Sequence, residues 1–165
     1  MLLDEMEAFV ALTEHSTAID YACNECVAEL QNEPGLEMTW RAVMPQLELT
    51  GSMNAVHSLW VFAFAPHGES DTHRHSNSTQ YTRSWRGNGV LRIGNPESAA
   101  VVQLPLPEGE GSQSEQWTVI PAGVFHRAIA NEHGWCVVSF QSAPANELQD
   151  EPIEGTSSPY IKPGF

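Results

Sequence analysis

Apolar residues in the first part of the chain recur at the spacing of an α-helix. One stripe, with members at i, i+3, i+4, i+7, i+8 and i+11, is formed by Ile19, Ala22, Cys23, Cys26, Val27 and Leu30. The run Asn32-Glu33-Pro34-Gly35 then supplies a strong helix-breaking signal. The pattern predicts an N-terminal helical segment over residues 1–35, made of short helices, the last of which buries one face.

From Leu36 onward the apolar positions form the short alternating or continuous runs typical of β-strands. The predicted strands are 38–44, 46–51, 58–66, 80–85, 89–94, 115–121, 124–131 and 135–142, with a further short strand at 101–106 inside a polar loop. Turn signals at 86–89 and 133–134 predict hairpins. This succession predicts an all-β fold, a barrel or double-sheet jelly roll over residues 36–145. Residues 146–165 are expected to pack on the barrel or fray.

Composition and charge exclude several classes of partner. The chain has 165 residues, of which 21 are acidic and 7 basic, for a formal charge of −14. This length fits one domain. The negative charge repels phosphate backbones, so no nucleic-acid partner is expected. No apolar run is long enough to span a bilayer, and the N-terminus has acidic residues where a signal peptide has basic ones, so we expect no membrane partner and a cytoplasmic location.

The cysteines allow two interpretations. Cys23 and Cys26 form a CxxC pair, which is found in redox motifs and in half-sites for zinc. The chain has no second CxxC, and both thiols lie on the apolar stripe of the predicted helix. The odd count of three cysteines also lacks the spacing of a disulfide framework. We therefore favour buried core thiols in a reducing compartment.

The candidate chemistry lies between Gly68 and Gly87. His73 and His75 are separated by one residue, so on a β-strand they point to the same face. Two imidazoles that converge from one strand face commonly begin a transition-metal site. Gln80 follows at the start of the next predicted strand.

This segment resembles the first motif of the cupin superfamily of RmlC-like jelly rolls, G-x5-H-x-H-x3,4-E-x6-G. Here the run is Gly68-x4-His73-x-His75-x4-Gln80-x6-Gly87, with one residue fewer before the first histidine and glutamine in place of the glutamate. The resemblance implies a cupin double-stranded β-helix, a jelly-roll barrel with short N-terminal helices.

A second run, Pro121-x-Gly123-x2-His126, resembles the second cupin motif, P-x-G-x2-H-x3-N. Asn131 lies one residue too far along to take the role of the final asparagine. The two motifs together span roughly residues 56–142. Carried over residue by residue, the resemblance implies that one metal ion is bound by His73, His75, Gln80 and His126.

Gln80 is the chemical departure from the motif. Its amide oxygen can coordinate a metal but carries no charge, so the full charge of a divalent ion is left on the metal. Such an ion is a stronger Lewis acid, suits an anionic ligand, and is held less tightly. Equally, Gln80 could be a satisfied buried amide that donates to a ligand. The metal could be Fe, Mn, Ni, Cu or Zn.

Two functions follow from the resemblance. The first is a small-molecule enzyme, dioxygenase-like or lyase-like, whose substrate binds a divalent metal held by three histidines and, in one interpretation, Gln80. The alternative is a non-catalytic cupin that binds or senses a small molecule. In both, the partner is a small, anionic compound, and the resemblance implies a homodimer.

Strand alternation predicts which neighbours share the site. If Gln80 faces the barrel interior, Thr82 and Ser84 do so too, and Ala128 and Ala130 accompany His126. The residues that then face outward are Tyr81, Arg83 and Trp85, and they need cover from the N-terminal helices or from a second subunit.

Overall fold

A computed structural model describes residues 2–43, 51–104, 116–153 and 160–161. The helices are α1 (Leu2–Ala11) and α2 (Thr13–Asn32), with a 3₁₀ turn at Gly51–Ala55. The strands are β1 (Met38–Val43), β2 (Ser58–Phe64), β3 (His73–Arg74), β4 (Gln80–Ile93), β5 (Ala100–Gln103), β6 (Thr118–Ile120), β7 (His126–Gln141), β8 (Gln149–Pro152) and β9 (Tyr160–Ile161). Neither helix is long and apolar enough to cross a bilayer.

The strands form one curled antiparallel sheet, and the prediction of an all-β jelly roll with N-terminal helices is confirmed. Its order is β1-β2-β7-β3-β8-β9, and β4 pairs with β5, β6 and β7. Strand β7 is the centre of this arrangement, because it pairs with β2, β3 and β4.

The two predicted hairpins are wrong. Residues 80–93 form one continuous strand, β4, and residues 126–141 form another, β7. They pair with each other along most of their length, with register shifts between Ser84 and Arg86 and between Gly87 and Gly89. Gly87 has φ +69°, and a Cβ at this position would lie 2.4 Å from the carbonyl oxygen of Gly134. The glycines therefore allow two bent strands to approach closely, where the sequence suggested reverse turns.

The alternating side chains of β2 divide the core into two layers. Leu59, Val61 and Ala63 face the helices, whereas Trp60, Phe62 and Phe64 face the barrel interior. All seven residues of β2 are buried. This explains the uninterrupted apolar run from which the strand was predicted, because a strand with both faces covered needs no polar positions.

The N-terminal helices cover the outer face of the sheet, as one of the two predicted arrangements required. Tyr81 and Trp85 pack against the helical core cluster. Arg83 is buried and pairs with Glu7 of α1, whose carboxylate also accepts a hydrogen bond from the Trp117 indole at 3.0 Å. The predicted apolar stripe of α2 is buried at Ile19, Ala22, Cys23 and Cys26, which confirms core thiols.

Some predictions fall partly or wholly outside the described residues. Of the predicted strand 46–51, only Gly51 is described, and it begins the 3₁₀ turn. Of the predicted strand 101–106, residues 101–103 lie in β5, and 105–106 are outside the described part. No strand was predicted in the tail, residues 146–165. Residues 149–152 nevertheless form β8, which pairs with β3. Domain division and dimerisation remain predictions.

Candidate metal centre

Strand pairing brings the two histidine motifs together. His73 on β3 lies opposite His126 on β7 and, on its other side, opposite Pro152 on β8. His75 follows β3 directly, and its carbonyl accepts a hydrogen bond from the amide of Gly123 at 2.9 Å. His75 and His126 are 51 residues apart along the chain but are neighbours in the folded sheet.

The three imidazoles form a compact cluster. The ring centroid of His73 lies 4.4 Å from that of His126, and that of His75 lies 5.1 Å from each of the others. One nitrogen from each ring lies within 4.8 Å of the other two. Two nitrogens bound at about 2.1 Å in a tetrahedral or facial site are about 3.0–3.4 Å apart, so the rings would close by no more than about 2 Å to complete the site.

The Nδ1 atom of each ring is turned toward a backbone carbonyl. These distances are 2.8 Å from His73 to Asp71, 3.1 Å from His75 to Gln149 and 3.2 Å from His126 to Val124. Because a carbonyl can only accept, Nδ1 of His73 and of His126 carries a proton, and the lone pair is on Nε2. His75 faces an oxygen at both nitrogens, the Gln149 carbonyl at Nδ1 and the Gln80 amide at Nε2, so both neutral tautomers fit. With Nδ1 protonated in all three rings, Nε2 is the atom offered to a metal, in orientations of the kind that outer hydrogen bonds impose on metal-bound histidines.

Gln80 lies beside this cluster at the start of β4. Its Oε1 is 3.0 Å from Nε2 of His75 and accepts a hydrogen bond from Nε2 of Gln141 at 3.1 Å. Its own amide nitrogen donates to Oγ of Ser139 at 3.3 Å. Two ligands at right angles on one ion would also be about 3.0 Å apart. In the Nε2–H tautomer a neutral His75 would donate to this oxygen, whereas in the Nδ1–H tautomer a metal shared by the two atoms would stabilise their approach.

Burial keeps His126 neutral. The side chain is only 4% exposed, and this desolvation, together with the charges of His73 and His75, holds the pKa of His126 well below its ordinary value. A neutral imidazole can bind a metal without first releasing a proton.

One residue of the site was missed by the sequence analysis. Asp150 on β8 is 4% exposed, and its Oδ1 lies 2.8 Å from Nδ1 of His75. The only sequence signal was a short alternation in which Leu148 and Asp150 share one face of the strand. Such a run, flanked by acidic and proline residues, is too short to indicate a strand in a chain read by itself.

A small cavity adjoins the cluster inside the barrel. It leaves about 30 Å³ for the centres of water-sized groups. Its polar side is formed by the three histidines, Gln80, Ser70 and Thr82, and its apolar side by Met38, Phe62, Phe64, Leu91, Ala128 and Val137. Thr82 and Ala128 line this cavity, and Ser84 and Ala130 also face the barrel interior, as alternation predicted. Ala130 packs in the same core cluster as Ala128, and Ser84 Oγ accepts a hydrogen bond from the indole of Trp135 in that cluster.

Solved structures with a similar fold were found, although no protein-family model and no curated protein sequence matches the chain. Vicilin from hazelnut (Corylus avellana) is 13% identical with a TM-score of 0.55, over 76% of this chain and 34% of that one. A single-residue mutant of the oxalate decarboxylase from Bacillus subtilis is 14% identical with a TM-score of 0.53, over 73% and 29%. The coconut allergen cocosin is 14% identical with a TM-score of 0.50, over 61% and 25%.

These neighbours are cupin proteins, and the fold of this chain is the cupin jelly roll. The chain aligns with only a quarter to a third of each neighbour's length, from 25% to 34%. The resemblance inferred from the two motifs is thus confirmed for the fold. Within that fold, His73, His75 and His126 form a cluster that could hold a metal ion.

Proposed function

We propose that this protein binds a divalent transition metal through Nε2 of His73, His75 and His126, and binds a small anionic ligand at the open positions of that ion. The convergence of the three rings carries the proposal, since one nitrogen of each lies within 4.8 Å of the others. The proton on each Nδ1 directs the other nitrogen to the metal. Three protein ligands leave coordination positions for a substrate.

The cavity favours a small ligand with one charged end. About 30 Å³ accommodates the centres of only a few heavy atoms. Phe62, Phe64 and Val137 are among the apolar residues that line the cavity, so a ligand would place its anionic group at the histidines and an apolar part against these side chains. Three neutral imidazoles leave the charge of the ion to attract that anion.

The activity that fits this arrangement is a dioxygenase-like or lyase-like reaction on a small carboxylate-bearing compound. When bound, the metal would supply Lewis-acid chemistry and, for a redox metal, access to O₂. The chain's own residues would orient the ligand, exclude water with the apolar wall, and keep His126 neutral. Asp150 contacts His75 and is not among the residues that line the cavity.

A non-catalytic binding role is the second candidate. Among the described residues that line the cavity, the histidines are the only titratable ones. Many enzymes instead present a carboxyl, lysine or tyrosine to the reacting group as a general acid or base. A cupin that senses or stores a small anion needs no such group.

Metal content tests the shared part of both candidates. We expect about one transition-metal ion per chain by elemental analysis of the untagged protein, and loss of most of it in His73→Ala and His126→Ala, because two imidazoles bind a divalent ion much more weakly than three. His133→Ala is the matched control, since the His133 side chain is 78% exposed and lies outside the cluster. Equal, sub-stoichiometric metal in all four proteins would contradict the proposal.

Turnover separates the two candidates. Small hydroxy acids, keto acids, thiols and β-diketones would be offered to the metal-loaded protein, with oxygen uptake and product formation as readouts. An enzyme is expected to turn over one of them and to lose this activity in His126→Ala. A ligand that raises the unfolding temperature of the loaded protein without turnover would favour the binding role.

A further inference from the structure

A buried carboxylate lies behind one of the three histidines. Oδ1 of Asp150 is 2.8 Å from Nδ1 of His75, and the two side chains are 5% and 3% exposed. The corresponding nitrogens of His73 and His126 contact backbone carbonyls of Asp71 and Val124. Nδ1 of His75 thus lies close to two oxygens, and its hydrogen bond goes to the carbonyl of Gln149 at 3.1 Å, with the Asp150 carboxylate beside it.

This carboxylate is held in place by a network around β8. Asn77 bridges the start of the strand, because its Nδ2 donates to the carbonyl of Glu147 at 2.7 Å and its Oδ1 accepts from the amide of Gln149 at 3.2 Å. Glu151 pairs with Arg74 on β3 at 3.0 Å. Leu148 is fully buried in the barrel core. These contacts determine the position of β8 beside the strand that carries His73.

The contact between Asp150 and His75 places a negative charge beside a candidate metal site that has no charged ligand. Gln80 stands where the cupin motif has a glutamate. The candidate ligands, three histidines and this amide, therefore include no carboxylate. A carboxylate beside the Nδ1 side of a ligating imidazole makes Nε2 a more basic ligand. At 2.8 Å and in a buried position, the charge of Asp150 also attracts the positive charge that a bound metal places on the ring.

We propose that Asp150 supplies, through His75, the negative charge that Gln80 does not supply directly. Asp150 is a positioning residue in this scheme, since it acts on the metal through His75. The inference rests on the proposed metal-binding function. It extends that function because the negative charge near the metal would come from Asp150 on β8 and not from the motif position on β4, where Gln80 stands.

Metal affinity tests the inference in the full-length protein. We expect Asp150→Asn to weaken Zn²⁺ binding by about 10- to 100-fold, measured by competition with a chromophoric chelator, because outer partners of ligating histidines contribute on this scale. Glu147→Gln is the matched control, since it removes the same charge from an exposed side chain three residues before Asp150. Its affinity is expected to stay within about 2-fold of the wild type. Equal affinity in the Asp150→Asn and wild-type proteins would overturn the inference.

A rescue variant separates charge from packing. In Asp150→Asn/Gln80→Glu the lost carboxylate returns next to Nε2 of His75, where Gln80 Oε1 now lies at 3.0 Å. We expect this double variant to regain at least the wild-type affinity. A double variant that binds as weakly as Asp150→Asn would show that Asp150 acts through local packing and not through its charge.

The wild-type protein provides a measurement that does not depend on the folding of a variant. In the Zn²⁺-loaded protein, the Nδ1 proton of His75 is expected to resonate downfield of those of His73 and His126, because a carboxylate oxygen lies 2.8 Å from this nitrogen. Similar shifts for all three protons would count against the inference. If the wild type binds no Zn²⁺ at all, the proposed function fails first, whereas tight wild-type binding that is unchanged in Asp150→Asn rejects this inference alone.

Discussion

Gln80 is held by hydrogen bonds on both sides of its amide. Its nitrogen donates to Ser139, which in turn donates to Thr82 at 2.7 Å, and its oxygen accepts from Gln141 while facing His75. This network places the oxygen, and not the nitrogen, beside the histidines. Of the two roles left open by the sequence, a ligand oxygen fits this orientation better than a donor to a bound anion. Burial makes the orientation costly to reverse, because a flipped amide would face its partners with the wrong groups.

The buried thiols allow a prediction at the scale of single residues. Burial raises the pKa of Cys26 to about 12, so at pH 8 only about one thiol in 10⁴ is ionised. We expect iodoacetamide to label Cys26 in the native protein far more slowly than in the urea-unfolded protein, measured by peptide-resolved mass spectrometry. Native labelling as fast as that of the unfolded chain would show that the thiol is not buried on the inner face of α2.

Strands β4 and β7 set the shape of the barrel. Each is long and bent, and the bend falls where Gly87 and Gly134 approach each other across the ladder. One end of β7 carries His126 and pairs with β3, while the other end pairs with β2 under the helices. A single strand thus joins the metal centre to the helix-covered core.

The close approach can be tested by adding one methyl group. Gly87→Ala introduces both an unfavourable positive φ and a Cβ 2.4 Å from the Gly134 oxygen, whereas Gly123→Ala has φ +77° and no atom within 4 Å. We expect Gly123→Ala to lower the free energy of unfolding by about 1 kcal/mol and Gly87→Ala by about 2 kcal/mol more. Urea denaturation measures both, and equal losses would argue against a steric role for Gly87.

At the scale of the whole molecule, the N-terminal helices are part of the domain core. Met6, Val10, Ile19 and Cys23 are almost fully buried and share a cluster with side chains from the outer face of the sheet. Glu7 adds a buried ion pair with Arg83 to this apolar contact. The barrel without its helices would expose this apolar layer to water.

The ion pair between α1 and the sheet gives a prediction for stability. Glu7→Gln leaves the Arg83 guanidinium, which is 7% exposed, without a counter-charge. We expect a loss of about 3 kcal/mol in the free energy of unfolding, because a buried charge that has lost its partner is strongly destabilising. Glu69→Gln is the control, since its pair with Arg127 is about one-third exposed and contributes no more than about 1 kcal/mol. Similar losses in the two variants would contradict a special role for the buried pair.

Local signals in the sequence identified much of this molecule. The alternation and apolar runs located β1, β2 and the start of β4, and the spacing of His73, His75 and His126 identified the histidines that meet. These signals are local because side-chain periodicity depends on backbone geometry, and the histidine spacings lie within short segments. The stripe on α2 likewise indicated its buried face before any partner was known.

Only the tertiary structure decided the roles of Gly87 and Gly134 and the pairing of the C-terminal strand β8. A glycine with positive φ serves a reverse turn or a close strand approach equally well, so Gly87 and Gly134 could not distinguish a hairpin from a bent ladder. Asp150 meets His75 across a separation of 75 residues, because β8 pairs with β3. Such pairing depends on loop closure and packing over the whole chain. A four-residue strand such as β8 is too short for its side-chain alternation to predict the pairing. The sequence by itself therefore identified the three histidines that meet, and the fold decided which carboxylate lies beside them.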